Sequence, residues 1–228
     1  MNLTPVDPSW EADVYSQGRH LNRYPYDHIV SFIFRWSPKD RPRKSIRLLE
    51  LGCGAGNNLW FTAREGFSSA GIDGSPTAIE IAKRRLHTES LDAELCVGSF
   101  ESLPWPDASF DLAFERGALV CGNLSSQRNA INETHRVLKP GGIFLYNGFT
   151  DRHTSAAAGV PQDDGRIAAI TDGTLANSGS YFFTSRRDVD DLFGFGWRIE
   201  HRELMEIENH TLPRLSRHSE WRVVARKI

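Results

Sequence analysis

Three glycines and two acids are the residues best placed to do chemistry. In LLELGCGAGNN (48–58), Gly52, Gly54 and Gly56 leave a turn free of side chains where an apolar run hands over to a helical one. Backbone there can approach a ligand closely, and amides at the helix start can point at it. Asp73 closes the next apolar run, about 20 residues beyond the turn, where a carboxylate can accept both hydroxyls of a ribose. Glu50 stands two residues before the first glycine. A dinucleotide site uses G-x-G-x-x-G to seat a pyrophosphate against the helix. Here the spacing is G-x-G-x-G, and an acid at 50 repels phosphate while suiting an ammonium. S-adenosyl-L-methionine, with its ribose, ammonium and sulfonium and no phosphate, is the ligand this chemistry favours. The plain alternative is a tight strand–helix turn with Asp73 as a helix-entry residue.

Such residues need a scaffold that presents them along one edge. Apolar runs at 46–52, 68–73, 93–100, 110–115 and 142–149 alternate with helical stretches near 57–65, after Ser75-Pro76 and at 125–138. Near-continuous apolar strands between helices predict a parallel sheet covered on both faces. The fold class expected is therefore α/β, doubly wound, as a single domain over 1–228. Ser75 suits an N-cap and Pro76 the first helical turn. Pro140-Gly141-Gly142 cannot continue a helix, so a turn is expected before the fifth strand. Residues 1–45 read as an arm and a packed helix (26–36), and 46–150 as the ligand-binding core. The stretch 151–180 has no clear period and is expected on the substrate side. The tail, 181–228, offers a helix near 186–194 and alternating runs at 197–207 and 220–228, expected to pair antiparallel.

With 228 residues, 39% of them hydrophobic and 25% charged, the chain is long enough for one sizeable core. A formal net charge of −2 gives no general pull toward nucleic acid or anionic membrane. No apolar stretch nears the roughly 18–20 residues of a membrane span, and the N-terminus lacks a signal-peptide pattern. Cys53, Cys96 and Cys121 are odd in number and lack a metal-binding spacing, so they read as reduced thiols of a cytoplasmic protein. His201, His210 and His218 likewise lack the spacing of a metal site. The expectation is a cytoplasmic protein without metal, nucleic-acid or membrane partners, its state, monomer or homodimer, left open.

Four ordered segments resemble the motifs of the class I S-adenosylmethionine-dependent methyltransferases. They are ELGCGAGNN, GIDGSPTAIEIAKRR, VGSFESLPWPDASFDLAFERGAL and HRVLKPGGIFLYN, which together cover roughly 46–150. The resemblance implies a Rossmann-like methyltransferase fold, a mostly parallel seven-stranded sheet with an antiparallel C-terminal strand, and S-adenosyl-L-methionine as cofactor. It sets Glu50 near the methionine end, with Gly52, Cys53 and Gly54 as backbone contacts and Asn58 at the helix start. Asp73 would hold the ribose, with Gly74 and Ser75 beside the adenosine. Ser99 and Phe100 match the adenine contact, Ser99 standing where the family commonly has an acid, and Glu115 to Gly117 would face cofactor and substrate. ERGAL (115–119) is also similar to the DRGAL segment of thiopurine-methyltransferase-like enzymes, which implies a small-molecule acceptor near Arg116. An arm like that of related enzymes would bring Tyr15 over the cofactor and Tyr24 to the acceptor.

Methyl transfer is an in-line displacement whose main demand is alignment, worth about 7–11 kcal/mol. A general base adds ~10²–10⁴-fold and matters for a hydroxyl acceptor. His20, Glu115 and His153 are the candidates, each with an ordinary structural reading beside it. His135 is expected on the solvent side of its helix. The acceptor expected is a small molecule with an O-, N- or S-nucleophile, a sugar or natural-product intermediate among them. Two other readings stay open: an NAD-dependent oxidoreductase, disfavoured by Glu50 and the glycine spacing, and a non-catalytic module that binds S-adenosylmethionine.

Overall fold

A computed structural model describes residues 10–19, 21–211 and 215–228. Seven strands form the main sheet: β1 (Arg47–Leu51), β2 (Ser68–Asp73), β3 (Glu94–Val97), β4 (Phe110–Glu115), β5 (Leu138–Tyr146), and, beyond a small ladder of β6 (Val160–Pro161) with β7 (Ile167–Ala168), β8 (Trp197–Asn209) and β9 (Ser216–Lys227). Their order is β3-β2-β1-β4-β5-β9-β8. The first five run parallel, and β9 is antiparallel to both its neighbours. Strand order reverses between β1 and β4, and the crevice outside the carboxyl ends of such strands is where open α/β sheets bind ligands.

Alternation along the strands divides the core between two faces. Leu49, Leu51, Phe144 and Tyr146 pack on one side with α4 (Leu124–Val137) and α5 (Arg186–Leu192). Leu48, Leu112, Phe114, Ile143 and Leu145 pack on the other with α1 (Asp27–Trp36), whose Ile29, Phe32 and Ile33 recur at helical spacing. Each such side chain stabilises by about 1.5–3 kcal/mol. Two more helices, α2 (Asn57–Arg64) and α3 (Pro76–Thr88), follow β1 and β2. Ser75 caps α3 by accepting from the Ala78 amide, with Pro76 in the first turn.

Four boundaries differ from the sequence reading. The third strand is confined to β3, four residues rather than 93–100. β5 starts at Leu138, because Leu138 pairs with Phe110 before Pro140-Gly141-Gly142 bulges out and the ladder resumes at Leu112–Ile143. The terminal hairpin is longer than 197–207 and 220–228: its rungs continue to Asn209–Ser216, where Arg217 pairs with Glu208 across the strands. Residues 151–180 are not structureless. They hold a 3₁₀ turn (Thr154–Ala157) and the β6–β7 ladder, and they close over a cluster of Val120, Phe149, Ile170 and Tyr181. His135 does not face solvent. Its ring is half-buried edge-on against Trp197, 5.0 Å between centroids, with Nε2 3.0 Å from the Gly196 carbonyl.

Candidate active site

Two cavities open at the carboxyl ends of β1, β2 and β4. The first, about 750 Å³, is lined by Gly52, Asp73, Gly74, Ser75, Ser99 and Phe100, with Tyr15 and Arg116 at its border. The second, about 580 Å³, is lined by Glu50, Gly52, Cys53, Gly54 and Asn58 at one end and by Phe149, Tyr181, His218, Glu220 and Arg222 at the other. Trp10, Tyr15, Gly52, Arg116 and Gly117 border both.

The glycine turn is held by the acid two elements away. Asp73 Oδ2 accepts from the Gly54 amide (2.8 Å) and Oδ1 from the Ser75 amide (2.9 Å), so the carboxylate fixes both the turn and the entry to α3. Burial raises its pKa against those hydrogen bonds. Gly52 has φ +68°, and a Cβ there would run into the Ala118 methyl. Gly54 has φ +50°, and a Cβ there would meet the Tyr15 hydroxyl. The arm therefore presses on the turn itself.

That arm is fastened by Glu11, which the sequence reading did not single out. Its Oε1 accepts from Thr77 Oγ1 (2.6 Å) and its Oε2 from Ser75 Oγ and the Thr77 amide (3.2 Å), bonds that hold its carboxyl below the usual range. Tyr15 lies at the border of both cavities, its hydroxyl pushed well above the usual phenol range by burial and by Asp73.

At the foot of the turn, Glu50 is 2% exposed. Asn58 Nδ2 donates to its Oε1 (2.7 Å), but its Oε2 is enclosed without a hydrogen-bond partner. Burial drives its pKa well above the ordinary range. A stranded buried acceptor costs about 1–3 kcal/mol, more when charged, and an ammonium placed there would remove the cost. The residues present thus fit the methionine end of S-adenosylmethionine, with Asp73 in the other cavity for a ribose. Cys53 is 2% exposed and packs beneath the turn, its thiol raised by burial. Ser99 Oγ accepts from the Glu101 amide (3.2 Å), and Phe100 stands beside it on the cavity wall.

Three of the expected site residues stand away from both cavities. Glu115 is 0% exposed and lines neither cavity. Its oxygens accept from the amides of Ala118 (2.8 Å), Leu119 (3.3 Å) and Asn147, so it braces the turn after β4 instead of facing a ligand. Burial lifts its pKa to about 7 against those bonds. Tyr24 is 66% exposed and lies outside both cavities, its ring edge-on to Trp60 and its carbonyl accepting from Asn57. His153 is 2% exposed and lines neither cavity; Nδ1 accepts from the Ser155 amide (3.0 Å), and Nε2 lies 3.0 Å from Thr174 Oγ1 and 3.2 Å from His218 Nδ1. Burial lowers its pKa to about 4. His20 lies outside the described residues.

Residues for which the sequence suggested no site role make up much of the second cavity. His218 Nε2 lies 3.1 Å from Glu220 Oε2, and Arg222 Nε donates to Glu220 Oε1 (2.8 Å). Those bonds, with Arg116 nearby, outweigh burial and hold Glu220 at about 2. The signal was present: 218, 220 and 222 alternate along one face of a strand. Arg116 stacks 4.4 Å over the Tyr26 ring, and its Nε is enclosed without a partner. Among the described residues there is no group of three His, Cys, Asp or Glu placed to hold a metal ion, and no helix long and apolar enough to cross a membrane.

Comparison with known proteins agrees with this geometry. Residues 48–142 match the family described as "Methyltransferase domain". Among curated relatives, a malonyl-[acyl-carrier protein] O-methyltransferase of Erwinia pyrifoliae is 32% identical, over 57% of this chain and 47% of its own length. An uncharacterised methyltransferase of Synechocystis is 36% identical over 43% of this chain and 44% of its own. The chain thus spans about half the length of the curated relatives it matches. A solved SAM-dependent methyltransferase structure from Methanosarcina mazei shares the fold at a TM-score of 0.71 and 22% identity, covering 90% of this chain and 99% of that one. Sheet order, ordered motifs and the methyltransferase-domain match at 48–142 together make the chain similar to the class I S-adenosylmethionine-dependent methyltransferases.

Proposed function

We propose that the protein transfers a methyl group from S-adenosylmethionine to a small-molecule acceptor in the cytoplasm. The observation that carries this reading is Glu50 Oε2, enclosed and unpartnered where the second cavity meets the glycine turn. Glu50, with Asn58 to orient it, would take the ammonium; Asp73 would take the ribose, and Ser99 and Phe100 would flank the adenine. Tyr15 would close the arm over the junction. The bound cofactor supplies an electrophilic methyl carbon on a sulfonium. Chain residues align the nucleophile with it and exclude water, chiefly Tyr15 from the arm and Tyr181 from the segment that follows β5.

A second cavity of about 580 Å³ is in the usual small-molecule range of roughly 300–1,000 Å³. This favours a small acceptor over a nucleic acid or a membrane surface, as does the net charge of −2. The name of the Erwinia relative, a malonyl-[acyl-carrier protein] O-methyltransferase, supports an O-nucleophile as one acceptor class. Calorimetric titration with S-adenosylmethionine, S-adenosylhomocysteine and NAD tests the reading. Micromolar binding of the first two and none of NAD is expected. Binding of NAD alone would revive an oxidoreductase, and tight S-adenosylmethionine binding without transfer to any acceptor would leave a binding module.

A further inference from the structure

The acceptor end of the site holds an imidazole that takes no part in holding the cofactor. His28, the second residue of α1, lines the second cavity, and its side chain is only 9% exposed. Its Nε2 is enclosed and makes no hydrogen bond. On the opposite side of the ring, Asp27 Oδ1 stands 3.5 Å from Nδ1. A carboxylate there draws the ring proton to Nδ1 and leaves Nε2 with a bare lone pair.

Two contacts bring this ring to the reacting end. The Tyr26 amide donates to Asn58 Oδ1 (3.1 Å), and the same Asn58 donates to Glu50, so the start of α1 is tied through one side chain to the foot of the glycine turn. Arg116 stacks over Tyr26, borders both cavities and carries an enclosed Nε with no partner. A guanidinium beside the nucleophile suits an oxygen that passes through negative charge. It disfavours an amine, which turns cationic on methylation.

We infer that His28 is the general base for a hydroxyl acceptor, with Arg116 holding the acceptor oxygen as its negative charge develops. This rests on the methyl-transfer reading above. The step balances. The acceptor O–H bond breaks and its proton goes to His28 Nε2. The oxygen bonds to the methyl carbon, and the C–S bond breaks with its electron pair left on sulfur. One positive charge is lost at the sulfonium and one appears on the imidazolium beside Asp27.

Such a base works only while neutral. The charged groups facing His28 are Asp27 on its own helix, Arg116 after β4, and Arg222 and Glu220 on β9. Burial and then the arginines push its pKa down, while Glu220 and Asp27 oppose them. The lone pair is therefore present at neutral pH, and kcat should fall on acidification along a limb set below the ordinary imidazole range.

Nitrogen-15 NMR of the histidine rings in the full chain tests the assignment without any acceptor. A neutral Nδ1–H tautomer at His28 is expected at neutral pH; an Nε2–H tautomer or a charged ring would overturn the base. Calorimetry of His28→Gln with S-adenosylmethionine is expected to stay within about threefold of wild type. A tenfold loss would move His28 into the cofactor site and overturn the proposal, whereas failure of the wild type to bind would count against methyl transfer itself. With labelled methyl donor at mildly alkaline pH, phenol and the already ionised 4-nitrophenol separate base from binding. His28→Gln should lower kcat on phenol by about 10²–10⁴, with KM little changed, and lower it at least tenfold less on 4-nitrophenol. Equal losses on both would sink the base.

Discussion

The two cavities are built on different principles. The first is drawn largely from turns at the carboxyl ends of parallel strands, Gly52, the Asp73–Ser75 corner, the Ser99–Phe100 turn and Gly117, with Glu11 and Tyr15 of the arm and Asp164 and Arg166 of the 151–180 segment completing it. The second is assembled from the arm, the glycine turn, the 151–180 segment and the β8–β9 hairpin, and its walls carry Glu50, His28, Arg116, His218, Glu220 and Arg222. A wall made of backbone has no room for a new atom but tolerates exchange of the side chains that point away. A wall made of charged side chains gains its character from pairing, so it is sensitive to protonation.

Gly52→Ala is the strongest test of the backbone wall. A left-handed φ and the collision with Ala118 together should cost about 2–5 kcal/mol. Chemical denaturation and cofactor calorimetry should both register it. Wild-type stability and affinity in the Gly52→Ala protein would show that the turn is not the close-fitting element described.

Glu220 tests the charged wall by pH. Its carboxyl is held at about 2 against an ordinary 4.5, so its stabilisation is complete above 4.5 and is lost as pH falls toward 2. The gap corresponds to about 3 kcal/mol. Glu115 has the opposite sign. Raised to about 7, it stabilises most below 4.5, and that contribution is lost as pH rises through 7. Denaturation midpoints should therefore rise as pH falls from 7 to 4.5 and drop below that, and Glu220→Gln should flatten the acid drop alone. An unchanged acid drop in the variant would place the titrating group elsewhere.

How legible each half was follows from the same difference. The glycine spacing, Glu50 and Asp73 sit within one β-turn-α-β stretch, where local order in sequence is local order in space. The place of Gly52, Asp73 to Ser75, Ser99 and Phe100 on the wall of the first cavity could thus be read from local order, whereas that of Glu11, Asp164 and Arg166 could not. The bracing of Glu115 was not legible, because position at a strand end does not reveal that three amides fold back onto the carboxylate. The second cavity depends on contacts between residues as distant as Tyr26 and Asn58, or His153 and His218. No periodicity encodes such pairings. Tyr181 and Ile170 lie in a stretch of small and turn-forming residues, so the segment read as irregular although it buries a cluster of its own. The sheet order was legible because alternating strands and helices leave few topologies, while the reach of the terminal hairpin was not, since its outer rungs are polar on both strands.

Asp73→Ala sharpens the comparison where the two principles meet, since a side chain there holds the backbone wall. Stranding the Gly54 and Ser75 amides should weaken S-adenosylmethionine binding by about 1–3 kcal/mol. Asp73→Asn keeps one acceptor oxygen and should lose less. Equal affinity of all three proteins by calorimetry would remove the ribose assignment.

The smallest effect is expected at Tyr24, an aromatic of the arm that belongs to neither wall. Its ring is 66% exposed and rests edge-on against Trp60, and the Asn57 side chain bonds its carbonyl, not its hydroxyl. Tyr24→Ala keeps that carbonyl and removes only a partly solvated contact, so stability should change by less than about 0.5 kcal/mol. Cofactor affinity and transfer rate should match wild type. A large rise in KM for an acceptor, with affinity for S-adenosylmethionine intact, would mean that the arm moves inward in the working complex and gives the second cavity a further wall.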